Sequence, residues 1–141
     1  MSTPPATPLI ARLERATHAV ALWIERAFAD LRLTQAEAHV LAFLADHAPC
    51  SINDLHHSFG HKRSTLSSLL DRLEERGWIR RARHPTSRRL VVVELTDSGR
   101  PIAERVGAAV HDVDARLRTR LGAERLAEIE AALAALEEEL R

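Results

Sequence analysis

One cysteine, Cys50, stands among 141 residues. No disulfide can form within the chain, and a lone thiol fits a reducing cytoplasm better than a secreted scaffold. Apolar runs are short. None approaches the roughly 18 residues that a membrane-spanning helix needs, so no membrane partner is expected. Tyrosine is absent, and two tryptophans and three phenylalanines are too few for a platform on which single-stranded bases would stack. Five glycines and six prolines are too few for a fibrous or low-complexity chain. The opening MSTPPATP has neither a basic start nor a hydrophobic run, so it reads as a flexible tail over residues 1–8 and not as a signal peptide. Catalytic signatures are missing as well: no G-x-S-x-G elbow, no phosphate-binding glycine loop, no H-E-x-x-H and no C-x-x-C pair. The expectation is therefore no enzyme, no metal and no cofactor.

What remains is substantial. Hydrophobic residues make up 45% of the chain, enough for a real core in one domain over residues 9–141. The formal net charge is zero, but the charges are segregated. Residues 1–60 carry 4 basic and 6 acidic side chains, residues 61–100 carry 10 and 5, and residues 101–141 carry 6 and 9. The middle segment is thus at +5 between two acidic flanks. That distribution, more than the sum, decides where a polyanion would bind.

Leu9, Leu13, Ala16, Val20, Trp23, Ala27 and Leu31 recur at three- and four-residue spacing, which predicts a long amphipathic helix over 9–31. Thr34 with Glu37 makes a capping-box signature ahead of a second helix running to about His47. Ser51 opens a short third helix, its hydroxyl set to cap the amides near Asn53 and Asp54, and Gly60 breaks it. A fourth helix begins near His61 or Lys62, buries Leu66, Leu69, Leu70 and Leu73, and ends at Gly77, where a left-handed residue costs little. Trp78–Arg83 and Leu90–Leu95 are strand-like and joined by His84–Arg89, a hairpin too long for a two-residue turn. Thr96 caps a fifth helix toward Leu121. Gly122 marks a bend, and Leu126, Ile129, Leu133, Leu136 and Leu140 continue the stripe in a sixth.

The expected fold is mainly α with a small β-wing. A winged helix-turn-helix lobe at about 34–97 is flanked by long helices at about 9–31 and 98–140. Nothing else in the chain is large enough to cover the apolar stripes of those flanking helices. A second copy is expected there, making a homodimer.

The run from Lys62 to Leu95 carries the functional expectation. Lys62, Arg63, Ser64, Thr65, Ser67 and Ser68 lie at the start and on the exposed side of the fourth helix. In a major groove, its amides and hydroxyls would meet phosphates and its longer side chains base edges. Arg72 lies further along, within reach of the DNA backbone. Arg81, Arg83, Arg88 and Arg89 cluster on the hairpin, where guanidinium groups suit a narrow minor groove. At least one of the four is expected to turn inward and pair with an acid. The alternative is a winged module for protein interaction that does not read DNA; such a module would lack a concentrated basic face and would tolerate loss of charge at Arg63, Arg81 and Arg83.

The order LTQAEAHVLAFL, then SINDLHHSFGHKRSTLSSLLDRLEERGWIRRARHPTSRRLVVVELTDSG, then a long terminal helix pair resembles the MarR family of bacterial transcription regulators. The likeness runs from about Leu9 to Leu136. It is most specific in the S-T-L-x-x-x-L-D-R-L-E-x-x-G-x-I stretch at 64–79 and the P-x-x-R-R…V-x-L-T-x-x-G wing at 85–99. The resemblance implies a homodimeric, sequence-specific double-stranded DNA-binding regulator of transcription. It would be a repressor that occupies a pseudo-palindromic operator and responds to a small-molecule effector. The family's effector crevice lies between the dimer helices and the DNA lobe, which by resemblance puts Trp23, Phe28, His39, Phe43 and His111 in its lining. One departure is in the wing. Many members carry D-x-x-D-R-R where this chain reads HPTSRR, with His84 and Ser87 in place of the acids. A neutral Ser87 ties Arg88 or Arg89 less strongly, which bears on the wing's rigidity and not on the fold.

Eight histidines invite a metal reading. By the same resemblance, His39 falls where some zinc-responsive relatives have a ligand. The partners those relatives use are largely missing, since Ala115 stands four residues after His111. The histidines otherwise suit packing, or a proton response near neutral pH. Some relatives sense oxidants with a cysteine on the first helix. Cys50 instead lies just before a helix start, a setting that can lower a thiol's pKa, although small buried thiols are usually packing residues. A zinc- or thiol-sensing regulator is thus the alternative to a ligand-responsive repressor.

Overall fold

The computed structural model describes residues 6–141. Positions 1–5 of the expected tail lie outside the described residues, and positions 6–8 are exposed and non-helical. Helix α1 (Leu9–Ala27) is amphipathic. Ile24 on the helix and Phe28 just after it, four residues apart, enter the core, while Leu9, Ile10, Val20 and Leu22 stay exposed. The helix is shorter than its apolar spacing predicts. The backbone leaves helical geometry at Phe28 and turns through Arg32 (φ 50°), yet still directs Leu31 and Leu33 inward. Side-chain spacing continued where the hydrogen-bond ladder did not.

Helix α2 (Gln35–His47) starts with the expected reciprocal cap. Thr34 Oγ1 accepts from the Glu37 amide, and Glu37 Oε2 accepts from the Thr34 amide, both at 3.2 Å. Ala38, Val40, Leu41, Ala42 and Leu44 are all buried, because α2 packs on the flanking helix α5 (Gly99–Leu121) and also touches the lobe. Helix α3 (Ile52–Phe59) has the same box between Ser51 and Asp54, at 2.9 and 3.0 Å, and ends at a left-handed Gly60. Helix α4 (Arg63–Glu75) buries Leu66, Leu69, Leu70 and Leu73. Each such leucine contributes on the order of 1.5–3 kcal/mol, and together they fix which face of α4 stays outward.

Gly77, at φ 75°, turns the chain from α4 toward strand β2 (Ile79–Arg83). Strand β3 (Val91–Leu95) returns antiparallel, with Ile79 opposite Leu95 and Arg83 opposite Val91. The hairpin was expected to stand as two strands, but the sheet has three. Strand β1 (Cys50–Ser51) pairs with the far edge of β3, Cys50 opposite Val93 and Ser51 opposite Val92, giving the order β1-β3-β2. Two residues carry no readable alternation, and their pairing is made only by the tertiary fold.

Gly122, at φ 80°, separates α5 from α6 (Ala123–Glu139). Arg105 on α5 grips the turn after α1. Its two terminal nitrogens lie 2.7 and 2.9 Å from the Asp30 carboxylate, and its guanidinium sits 5.5 Å from the centre of the Phe28 ring. The first half of α5 buries Ala103 and Val106, whereas α6 buries nothing and leaves Ile129, Leu133 and Leu140 exposed. No helix among the described residues is long and apolar enough to cross a membrane.

Candidate nucleic-acid interface

The α3–α4 pair is a helix-turn-helix whose second helix opens without a cap. Lys62 occupies the N-cap, no side chain bonds the first-turn amides, and the first turn holds no acid. Such an end keeps unsatisfied N–H groups and a positive dipole directed outward, where an anion is favoured. Arg63, Ser64, Thr65, Ser67 and Ser68 are all exposed there. The Ser68 hydroxyl donates to the Ser64 carbonyl at 3.0 Å, which leaves its oxygen free to accept.

The ten cations of residues 61–100 divide evenly. Arg72, Arg76, Arg80, Arg81 and Arg100 are in ion pairs, whereas Lys62, Arg63, Arg83, Arg88 and Arg89 are in none among the described residues. The five unpaired cations lie at the start of α4 and along the outer part of the wing. Arg81 is the arginine that turns inward. Its Nε and Nη2 meet Glu74 at 3.0 and 2.7 Å, and Nη2 also meets Asp71. This fork ties the root of β2 to α4, and it holds the Glu74 carboxyl below the usual range chiefly through the Arg81 side-chain hydrogen bonds. Arg80 pairs across the hairpin with Glu94 at 2.7 Å. Arg72 meets Glu37 through Nε at 3.0 Å.

The wing tip is shaped by backbone bonds and by His84. The His84 amide donates to the Leu90 carbonyl at 2.8 Å, and Ser87 takes part only through its backbone. His84 Nδ1 accepts from the Thr86 amide at 3.2 Å and lies 3.0 Å from the Thr86 hydroxyl. An imidazole thus takes the turn-holding part for which the common wing pattern has an acid.

The five residues named for an effector crevice fall in three places. Trp23 lines an open groove between α1 and α5 with Val20, Val113, Leu117, Arg116 and Arg120. Phe28 is buried, edge-on to Trp23 at 6.2 Å. Phe43 packs on His47 and Phe59, at 4.4 and 5.6 Å. His39 is half-buried, and its pKa is lowered by burial and then by His61. His111 sits apart, with Nε2 at 2.7 Å from Asp46. No group of three or more His, Cys, Asp or Glu among the described residues is arranged to hold a metal ion. The Cys50 thiol is buried, and burial, followed by the field of Asp54, pushes it up to about 11. This reverses the lowering expected of a cysteine ahead of a helix, because the thiol is buried and the nearby Asp54 carboxylate adds a negative field.

Sequence reasoning missed Glu37 as more than a cap. It is the one buried charged residue among those described, and both Arg72 and Arg76 approach it. Its capping role was legible three residues away, but the arginines lie 35 and 39 positions on, across the fold.

The MarR family model matches residues 33–91. PecS, an HTH-type transcriptional regulator of Dickeya dadantii (strain 3937), is 34% identical over 101 residues, which are 70% of this chain and 61% of PecS. The chain spans about half the length of the curated relatives it matches, from 44% to 61%. Two solved structures show the same fold. The transcription regulator MarR from Oenococcus oeni PSU-1 has a TM-score of 0.84 at 19% identity, covering 93% of this chain and 99% of that one. MepR of S. aureus, solved as a complex with DNA, has a TM-score of 0.79 at 20% identity, covering 96% and 100%. Helix order, wing and sequence agree: over residues 33–91 the chain matches the MarR family, and its fold is that of the transcription regulator MarR from Oenococcus oeni PSU-1.

Proposed function

We propose that this chain is a sequence-specific double-stranded DNA-binding regulator of transcription that acts as a homodimer, blocking transcription while it occupies its operator. The observation that carries the proposal is the partition of cations in the lobe. Five are spent on internal acids, and five are left unpaired at the uncapped start of α4 and on the wing. A protein-binding module has no use for that concentration of free charge, whereas phosphate contacts require it. MepR, which shares the fold, was solved on DNA.

Dimerisation is supported by the apolar faces of α1, α5 and α6, where Val20, Leu117, Ile129 and Leu133 lie open. Two lobes on one duplex face must hold their recognition helices about 34–36 Å apart or a multiple of that. A small apolar effector in the groove beside Trp23 touches both flanking helices and would change that spacing, so that the two half-sites no longer fit at once.

The experiment is fluorescence-anisotropy binding to the DNA upstream of the protein's own gene, with a shuffled duplex as control, over a salt series. Saturation at two subunits per duplex, with affinity at least ~100-fold above the control, is the expected result. Equal weak binding to both duplexes, and no enrichment from a pool of random duplexes, would sink the proposal.

A further inference from the structure

We propose that Glu37 is a positioning residue for DNA binding: it grips the Arg72 guanidinium at its root and aims the two terminal nitrogens outward at a backbone phosphate. The inference rests on the DNA-binding proposal above. Four observations lead to it.

A capping box needs only an acceptor at this position, and glutamine would serve as well. Glu37 is instead an acid, and it is the one charged side chain buried among the described residues. A buried carboxylate needs partners for both oxygens. Oε2 is satisfied by the Thr34 amide at 3.2 Å, which leaves Oε1 for Arg72 Nε at 3.0 Å. Arg76 stands further off, at 4.0 Å from Oε2, and its own Nη2 is occupied by the Leu31 carbonyl.

The way Arg72 is held matters more than the fact that it is held. Arg80 and Arg81 each commit Nε together with Nη2 to acids, so their forks are used up. Arg72 commits Nε alone. The guanidinium is rigid and planar, so one bond at Nε, with the chain entering beside it, restricts where Nη1 and Nη2 can lie.

Exposure supports the same assignment. The Arg72 side chain is 50% exposed while that of Glu37 is 6% exposed. The anchor is dry, and half of the side chain it holds is in water.

Arg72 also belongs to the outward stripe of α4. Thr65, Ser68 and Arg72 follow one another at three and four residues, share a face, and are all exposed. An arginine fixed before binding gives up less side-chain freedom when a phosphate arrives, which is how a buried acid can raise affinity for an anion it never touches.

The test uses the full chain and a duplex that the unaltered protein enriches from a random pool, with anisotropy read over a salt series. Arg72→Ala is expected to weaken binding about tenfold, and to lower the slope of log affinity against log salt by ~0.9, the loss of one phosphate contact. Glu37→Ala should weaken binding about fivefold when Arg72 is present and less than about twofold when it is already Ala, since the two act as one unit. Glu37→Gln has one acceptor where the carboxylate has two, so its affinity should fall between that of the unaltered chain and that of Glu37→Ala. Thr34→Ala loses the other half of the capping box, the bond from the Glu37 amide to Thr34 Oγ1, without touching Arg72. It should lower Tm while leaving affinity and salt slope unchanged.

Equal losses from Glu37→Ala with and without Arg72 overturn the inference. So does an unchanged salt slope in Arg72→Ala, a surface variant that does not depend on Glu37→Ala folding. If the unaltered protein enriches no duplex, the DNA-binding proposal falls and this inference with it.

Discussion

The carbonyl oxygen of Trp78 lies 1.8 Å from where a Cβ on Gly99 would stand. The obstacle is backbone, with the Trp78 carbonyl carbon also only 2.5 Å away, so no side chain can swing aside. The contact joins the root of the wing to the first residue of α5, and the Thr96 and Ser98 hydroxyls both donate to the Gly77 carbonyl beside it. Gly99→Ala must separate these segments. It is expected to lower stability by about 3 kcal/mol or more, measured by urea unfolding. A loss under about 1 kcal/mol would show that the junction yields.

The inward and outward arginines of the wing should separate in two different assays. Arg81→Ala removes the fork to Glu74 and Asp71 and should cost on the order of 1–2 kcal/mol of stability. Arg83→Ala, Arg88→Ala and Arg89→Ala remove no internal bond. Each should leave stability within about 0.5 kcal/mol, and those that meet phosphate should lower the salt slope by ~0.9. If Arg81→Ala keeps full stability and loses only DNA affinity, the assignment of the inward arginine is wrong.

Much of the α2–α4 lobe is legible in the sequence because its signals are local. The Thr34–Glu37 box and the Ser51 hydroxyl cap span three residues each, Gly77 follows a four-leucine stripe, and all three appear as expected, with Asp54 closing a second box on the Ser51 amide. Strand β1 is not legible, since it exists only because Cys50 finds Val93. The end of α1 is misleading for another reason. Leu31 keeps the helical spacing while the backbone at Arg32 has already turned left-handed. The start and outer face of α4 could be read as a site from residue types, but the pairing state of each arginine could not. Arg81, Arg83, Arg88 and Arg89 look alike in sequence, and only three-dimensional placement gives Arg81 its two acids.

Acid should weaken the folded state as pH falls below the ordinary histidine value of 6.5, and His39 should be one cause. Burial, followed by the field of His61, lowers its pKa below the ordinary 6.5. The unfolded chain therefore takes up a proton first as pH falls. Stability contributed by neutral His39 is fully present above 6.5 and is lost as pH drops toward the lower folded value. His39→Gln should flatten this part of a plot of urea midpoint against pH, and His61→Gln should flatten it less. An unchanged profile in His39→Gln would remove His39 from the account.

Cys50 should behave as an inert thiol. With its pKa at about 11, on the order of one molecule in a thousand carries thiolate at pH 8, and the sulfur is buried as well. Labelling by a disulfide reagent should track global unfolding and accelerate with urea. Cys50→Ala should leave DNA binding insensitive to peroxide to the same degree as the unaltered chain. Rapid labelling under native conditions is the outcome that contradicts this.

The flanking helices can be tested without disturbing the lobe. Leu117 is 48% exposed and Leu133 is 43% exposed, so neither supports the core of its own chain. Leu117→Glu with Leu133→Glu should convert a sedimenting dimer to a monomer of unchanged helix content. A chain that sediments as a monomer before any substitution contradicts the dimer outright.

The grip of Arg105 on Asp30 has a mechanical side. Both side chains are about half exposed, so the pair adds little to stability. Two parallel bonds nevertheless resist the pivoting that a single bond would allow. The turn at 28–33 is therefore clamped to α5 and must follow when that helix tilts. Thr34 and Glu37 come next in the chain, and Arg72 rests on Glu37. On the proposed function the clamp makes a crank: a tilt of the long helix outside the lobe would arrive at α4 as a displaced Arg72 guanidinium.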